Sequence, residues 1–316
     1  MMKKHLKKVV IAGTNHVAYD LVFAHTIQPV AEQMFLLESD EIDEKRIADM
    51  IYASSAINQV EVAVKTYKET KDADILVISA TPERLEDESE TDHLKKTIQM
   101  VRKIINQSME NGFNGIVIIA TQPTEIFTHL VWKFSGLPKH RVIGLGTYAE
   151  SLYFQQLLSA YFHISIHDVH GYLMGASGID EKVPIWSRTS VGGVPVLSYA
   201  TNEVHEFDQK VMSDILEDVL ELSQLSKTAN TGYSTASALL SLLQAIGSNA
   251  ETVIPISYVH SWEELEDITL SVPAVVSSEG VRPFPEFTVS DIEKQELLTI
   301  ATAIKEKLTL ILKGKL

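Results

Sequence analysis

Three residues near the amino terminus have the spacing of a loop that holds a phosphate-bearing ligand, and two of them have the suitable type. Gly13, Asn15 and Ala18 follow the apolar run at residues 9–12 and occupy the glycine places of a G-x-G-x-x-G loop. The first glycine of such a loop makes a tight turn, the second lets backbone amides approach a pyrophosphate, and the third allows close helix packing. Gly13 and Ala18 suit these roles. The side chain of Asn15, by contrast, is expected to project where the pyrophosphate would lie.

A carboxylate one strand further along supports the same interpretation. Glu38 ends the apolar run at residues 34–38. An acid at this place accepts hydrogen bonds from ribose hydroxyls and disfavours a 2′-phosphate, so it favours NAD over NADP. An ordinary turn between strand and helix that binds no ligand is the alternative that this pattern leaves open.

The elements that must position these residues alternate regularly in the first half of the chain. Short apolar runs at residues 9–12, 34–38, 60–64, 75–79, 116–120 and 142–145 are separated by helical patterns. Continuous apolar strands between helices are typical of parallel strands covered on both faces. The sequence therefore predicts an α/β fold with a doubly wound parallel sheet.

The pattern changes after residue 146. We expect helices at residues 151–162, over most of 196–231 and at 233–246, strands at 169–174, 253–259 and 268–276, and a turn at 192–195. A last helix begins at Ser290, which forms a capping box with Glu293. The change predicts two domains, residues 1–146 and 147–316.

Composition excludes several classes of function. The chain has 42 acidic and 27 basic residues, a formal net charge of -15, which argues against nucleic acid and anionic membrane surfaces as partners. It has no cysteine, which excludes disulfides and thiolate sites, and its histidines lack metal-ligand spacing. No stretch approaches the roughly 20 apolar residues of a membrane span. A cytoplasmic protein without a metal site is the prediction.

Longer stretches resemble bacterial L-lactate dehydrogenases. The resemblance runs from about residue 7 to residue 308 and is carried by DADI (72–75), NGFNGI (111–116), WKFSGLP (132–138), HRVIG (140–144), VHGY (169–172) and VGGVP (191–195). It implies membership of the lactate/malate dehydrogenase superfamily. That membership implies an N-terminal Rossmann domain that binds NAD, a C-terminal α+β substrate domain, and a homodimer or homotetramer.

The resemblance also implies which positions would carry chemistry. The family uses a histidine as acid and base, an aspartate that orients it, an arginine that binds the substrate carboxylate, a loop arginine that polarises the carbonyl, and an asparagine. The resemblance puts Ser177 at the position of the histidine, Glu150 at that of the aspartate and Tyr153 at that of the arginine that binds the substrate carboxylate. It puts Glu90 at the position of the loop arginine and Gln122 at that of the asparagine. Thr231 matches a threonine of the substrate pocket, and Arg84 falls where malate-specific members have an arginine.

These substitutions remove what a 2-hydroxy acid requires. Ser177 cannot take a proton at neutral pH without an activating partner. Glu90 puts negative charge where the substrate needs positive charge, and Tyr153 supplies no charge at all. The prediction is a degenerate lactate dehydrogenase homologue, inactive on 2-hydroxy acids, that still binds NAD(H) or serves as a scaffold or partner. An enzyme of altered chemistry with Glu150 as base, and an ordinary L-lactate or other 2-hydroxy acid dehydrogenase, are the alternatives.

Replacement of the missing base by another histidine is not expected. His170 is the nearest in sequence, and an extended segment of ~3.3 Å per residue would put it roughly 20 Å from Ser177. In regulated relatives a histidine at the position of His170 helps to bind a sugar bisphosphate between subunits. Its arginine companion is Gln155 here, so that regulation is not expected either.

Overall fold

The computed structural model describes residues 6–58, 60–178, 181–201, 207–228 and 232–315. Its first half alternates strands and helices, at Leu6–Ala12 (β1), His16–Ile27 (α1), Ala31–Leu37 (β2), Glu44–Ile57 (α2), Glu61–Lys65 (β3), Ile75–Ile78 (β4), Glu90–Glu110 (α3), Ile116–Ile119 (β5), Thr124–Ser135 (α4) and Val142–Gly144 (β6). The six strands are parallel, in the order β3-β2-β1-β4-β5-β6. This order confirms the predicted doubly wound sheet of Rossmann type.

The central strands form because their apolar runs have no solvent-facing side. Every residue of β4 and β5 is buried, as is the last part of β1 and β2. Helices cover both faces, so continuous Val and Ile runs are favoured over alternation. The carboxyl ends of β1, β2 and β4 consequently share one edge of the sheet, where loops are free to form a site.

The second half adds antiparallel strands to the same sheet. Its elements are Tyr148–Phe162 (α5), Val169–His170 (β7), Leu173–Gly175 (β8), Lys182–Pro184 (β9), Ser190–Val191 (β10), Val194–Pro195 (β11), Gln209–Thr228 (α6), Tyr233–Gly247 (α7), Thr252–Trp262 (β12), Leu265–Ser277 (β13), Gly280–Pro283 (β14) and Asp291–Leu312 (α8). The pair Gly144 and Ser257 joins β6 to β12, and the sheet continues through β13, β8 and β9. Because strands from before and after residue 146 pair in one sheet, the division into 1–146 and 147–316 stays a prediction.

The last helix begins as its sequence predicts. Ser290 accepts a hydrogen bond from the amide of Glu293, and the Glu293 carboxylate accepts one from the amide of Ser290. Leu297, Ala301 and Leu308 are buried on one face of α8. The predicted capping box and apolar face are therefore confirmed.

One prediction for the second half is wrong. Residues 169–174 form two strands rather than one, since β7 pairs with β10 in a small three-stranded sheet and β8 joins the large sheet. Gly171 lies between them against the ring of Phe154, where an added Cβ would come within 2.7 Å of that ring. The prediction for residues 196–231 is confirmed, since most of the described residues of this region are helical, in the 3-10 helix Val196–Thr201 and in α6. A local apolar pattern predicts that a segment is a strand but does not show with which other strand it pairs.

The helices of the described chain combine buried faces with charged ones. None of these helices is long and apolar enough to cross a membrane. Within the same described ranges, no group of three or more His, Asp or Glu residues is arranged to hold a metal ion.

Candidate active site

Two hollows lie side by side at the carboxyl edge of the parallel strands. The Glu38 hollow, of about 830 Å3, is lined by residues that include Gly13, Glu38 and Lys103. The Glu150 hollow, of about 500 Å3, lies between the Rossmann sheet and the second half of the chain. Both have Thr81 and Pro82 in their walls. This edge of a doubly wound sheet is the usual place for an extended ligand.

The turn after β1 requires glycine at its first position. Gly13 has φ +152, and a Cβ there would come within 2.5 Å of Ser79 Oγ and 3.0 Å of the amide nitrogen of Ala80. The backbone of the loop therefore lies close to the end of β4. Glu38 is exposed at the end of β2 and lines the hollow named after it, as the sequence placed it.

The Asn15 side chain is turned back onto the protein. Its Oδ1 accepts a hydrogen bond of 3.2 Å from the amide of Ala18, and its Nδ2 donates one of 2.6 Å to the carbonyl oxygen of Ser79. Asn15 is thus the N-cap of α1. The sequence suggested that its side chain would project freely, and the structure shows that it does not. It still lines the Glu150 hollow and uses the Ala18 amide, one of the donors that a helix N-terminus offers to an anion.

Ser177 lies beneath the wall of the Glu150 hollow and is absent from its lining residues. Only 2% of its surface is exposed. Its Oγ donates a hydrogen bond of 2.8 Å to Glu125 Oε2 and accepts one of 3.1 Å from the amide of Thr124. Its hydroxyl is therefore hydrogen-bonded inside the protein and does not line the Glu150 hollow, although the resemblance puts Ser177 at the position of the family's histidine.

Glu125, at the start of α4, is the buried partner of Ser177 and was missed at the level of the sequence. Its oxygens also accept hydrogen bonds from the amide of Ser177 at 3.0 Å and from Ser257 Oγ at 2.7 Å. Complete burial raises the pKa of Glu125, and the hydrogen bonds from Ser177 and Ser257 oppose that rise. These bonds join α4 to the loop after β8 and to β12, so Glu125 connects the two halves of the chain.

Glu150 and Tyr153 lie one turn apart on α5 and both line the Glu150 hollow. Glu150 Oε1 accepts a hydrogen bond of 3.1 Å from Ser223 Oγ, and Ser223 also lines the hollow. The same Oε1 lies 3.6 Å from Nζ of Lys182, whose side chain has no exposed surface. Lys182 was missed because one lysine at the start of a short strand reads as a surface residue. Its neighbours Val183, Pro184 and Ile185 were the signal that could have found it.

The loop between β4 and α3 forms one side of the Glu150 hollow. Arg84 and Glu83 line it, and Arg84 Nη2 donates a hydrogen bond of 3.3 Å to the carbonyl oxygen of Glu88. A hydrogen bond from Lys96 lowers the pKa of Glu88 and attaches the loop to α3. Glu90 is the exposed first residue of α3 and lies outside the lining residues of both hollows.

The remaining predicted positions have different outcomes. Gln122 is exposed and lines the Glu150 hollow. Thr231 lies outside the described residues. His170 is exposed on β7 and belongs to the small sheet, so the extended-segment estimate of its distance does not apply. Gln155 Nε2 donates a hydrogen bond of 2.9 Å to the carbonyl oxygen of Gly171.

The doubly wound sheet, its glycine turn and the paired hollows define a two-part α/β protein of the dinucleotide-binding Rossmann class. The chain belongs to the lactate/malate dehydrogenase family. Residues 7–144 match the family model of the lactate/malate dehydrogenase NAD binding domain, and residues 151–314 match that of the lactate/malate dehydrogenase alpha/beta C-terminal domain.

Named relatives and solved structures cover almost the whole chain. "L-lactate dehydrogenase 1" of Listeria innocua and "L-lactate dehydrogenase 2" of Peribacillus psychrosaccharolyticus are each 31% identical over 97% of both chains. The ligand-bound structure of the minor L-lactate dehydrogenase of Enterococcus mundtii superimposes with a TM-score of 0.90 at 28% identity, covering 97% of this chain and 98% of that one. A lactate dehydrogenase from a deep-sea metagenome library gives the same TM-score at 27% identity, with 96% and 98% covered. The chain is therefore lactate dehydrogenase-like over its full length.

Proposed function

We propose that this protein is an NAD(H)-binding member of the family whose cleft has been remodelled away from 2-hydroxy acids. The observation that carries the proposal is the contrast between the two hollows. The Glu38 hollow keeps its glycine turn and its acid, whereas the Glu150 hollow has Tyr153 and Glu150 in its wall and Ser177 sealed beneath it. The protein is thus degenerate as a lactate dehydrogenase and retains the cofactor.

The residues around the glycine turn fit a nicotinamide dinucleotide. Gly13 lets the loop turn tightly against the end of β4, Glu38 offers a carboxylate to ribose hydroxyls, and the N-terminus of α1 faces the cleft through Asn15 and His16. When bound, the nicotinamide supplies hydride transfer. Asn15 already uses the amide of Ala18, so we propose that it weakens binding of the pyrophosphate without abolishing it.

The Glu150 hollow lacks the groups that a 2-hydroxy acid needs. A carboxylate is held best by a bidentate arginine, and Tyr153 offers one neutral hydroxyl at that position. Arg84 reaches the hollow beside Glu83 and is already bonded to the backbone of Glu88. A positioned acid and base supplies roughly 10²- to 10⁴-fold in rate, and the hydroxyl proton of Ser177 is already donated to Glu125 inside the protein.

An ordinary L-lactate dehydrogenase is the second candidate, and the names of the relatives favour it. It requires another group to exchange the proton of the substrate hydroxyl. His16, the first residue of α1, lines the Glu150 hollow and is the histidine that the described part of the chain places there. Loss of pyruvate reduction in His16→Ala, with NADH affinity unchanged, would support this candidate.

Calorimetric titration with NADH, followed by pyruvate and oxaloacetate reduction at high enzyme concentration, tests the proposal. We expect NADH binding without turnover of either acid. Clear turnover would favour the second candidate. Absence of NADH binding would contradict the proposal and favour a scaffold or partner role. We also propose a homodimer or homotetramer, to be measured by sedimentation velocity on the same preparation.

A further inference from the structure

A buried ammonium group lies directly behind the wall of the Glu150 hollow. Lys182 Nζ donates hydrogen bonds to the carbonyl oxygens of Gly178 at 2.6 Å and Ser177 at 3.4 Å, and lies 3.6 Å from Glu150 Oε1. Its side chain has no exposed surface. Lysine is almost never fully buried unless it is paired, because taking a charge out of water is costly. Lys182 and Glu150 are therefore a buried ion pair.

The two members of the pair differ in their access to the hollow. The Glu150 side chain is 11% exposed and lines the hollow with Ser223 and Tyr153, whereas Lys182 is not among the lining residues. The family resemblance implies the opposite polarity, a histidine toward the ligand with an aspartate behind it. Here the carboxylate contacts the ligand space and the cation is behind it.

Lys182 and Ser177 do not form a pair of base and nucleophile. Lys182 contacts the backbone oxygen of Ser177, while the Ser177 hydroxyl donates to Glu125. A serine nucleophile needs its hydroxyl within reach of both the base and the ligand. The geometry leaves Glu150 as the group of this cluster that a ligand can touch.

We propose that Glu150, positioned by Lys182, is the ligand-contacting acceptor of the cleft and selects ligands with an O–H or N–H donor over carboxylates. The inference rests on the proposed function, because it names the substrate class of the same cleft. A charged acceptor makes strong hydrogen bonds to donors and repels a ligand carboxylate at the same place. The substrate class is therefore a small alcohol or amino alcohol, or the matching carbonyl compound.

Three small secondary alcohols that differ only at one carbon provide the test. L-lactate, (S)-1,2-propanediol and (S)-1-amino-2-propanol carry a carboxylate, a hydroxymethyl and an aminomethyl group on the same carbon framework. Their dissociation constants on the NAD+-saturated protein are measured by ligand-observed NMR. The diol and the amine are expected to bind at least about 10-fold more tightly than lactate, as a hydrogen bond to a charged group allows. Tightest binding of lactate overturns the inference.

Variants of the pair separate a role in selection from a role in folding. Glu150→Gln is expected to remove the preference, and Lys182→Arg to retain it. Lys182→Met leaves Glu150 buried without its cation, so it is expected to lose both stability and the preference. The double variant Lys182→Met/Glu150→Gln restores stability without restoring the preference. A preference that survives in Glu150→Gln or in the double variant overturns the inference, and Lys139→Met, which removes the surface pair with Asp267, is the matched control.

The cofactor titration keeps this inference distinguishable from the proposed function. If NADH does not bind, the proposed function fails, and the three alcohols are titrated into the free protein. A preference for the diol and the amine that Glu150→Gln removes still supports the role of Glu150. Equal affinities for all three alcohols overturn it.

Discussion

Replacement of Ser177 by alanine tests whether this residue belongs to the fold or to the ligand site. In the structure its hydroxyl donates to Glu125 Oε2 at 2.8 Å and accepts from the amide of Thr124 at 3.1 Å. Alanine removes both bonds and leaves a buried amide and a buried carboxyl oxygen with one partner fewer. We therefore expect a loss of stability and no loss of cofactor binding.

The size of the loss follows from these two bonds. A buried polar group that loses its partner costs about 1–3 kcal/mol, and two groups lose one here, so Ser177→Ala should lower the free energy of unfolding by about 2–6 kcal/mol. That is a large share of the 5–15 kcal/mol that is typical of a folded domain. Ser257→Ala removes one hydrogen bond to Glu125 and should cost about half as much.

Two measurements on each variant decide the outcome. Urea unfolding followed by circular dichroism gives the change in stability, and calorimetry gives the affinity for NADH. Ser177→Ala should be the less stable of the two variants. Its affinity for NADH should stay within about twofold of the parent, which is far smaller than a tenfold change, equivalent to about 1.4 kcal/mol. Unchanged stability together with a tenfold weaker NADH affinity would refute the placement of Ser177 beneath the wall.

Three further predictions concern the cofactor loop and the buried carboxyl group. Asn15→Gly should tighten NADH binding, because it frees the amide of Ala18 and costs the helix only a few tenths of a kcal/mol as a cap; calorimetry that shows equal or weaker binding would contradict this. Gly13→Ala should destabilise the protein by about 1–3 kcal/mol in urea unfolding, because the residue has φ +152 and the added Cβ would collide with Ser79. Gly136→Ala is the control for backbone conformation alone, since Gly136 also has a positive φ but a Cβ there would have no atom within 4 Å. Glu125 has its pKa raised by burial, so the native state holds its proton more tightly than the unfolded chain does, and stability should fall as pH rises from the ordinary value of 4.5 through the raised one. Glu125→Gln should remove that fall, and an unchanged pH profile of unfolding would show that Glu125 is not its cause.

The fold was largely predictable because its signals are local. Apolar runs between helical patterns predicted the parallel strands, and the Ser290 capping box predicted the start of α8. The prediction was wrong where the pairing of a strand depends on distant parts of the chain. Residues 169–174 read as one strand, but Gly171 interrupts them and each part pairs with a different sheet.

The candidate site was predictable only as a set of positions. The sequence placed Gly13 and Glu38 at one hollow, and the family resemblance placed Glu150 and Tyr153 at the other. Neither the sequence nor the resemblance indicated how deeply each side chain would be buried. Lys182 therefore escaped notice, since its burial depends on the packing of β9 near α5.

The sequence by itself determined the fold class and the family, and it predicts that the histidine and arginines of 2-hydroxy acid chemistry are replaced, because these inferences depend on residue types in a fixed order. Only the tertiary structure decided which contacts the side chains around the cleft make. Ser177 is satisfied by Glu125, Asn15 turns back to Ser79, and Lys182 pairs with Glu150. Each of these contacts joins residues far apart in the chain. Their strength depends on exclusion of water, which no single segment can provide.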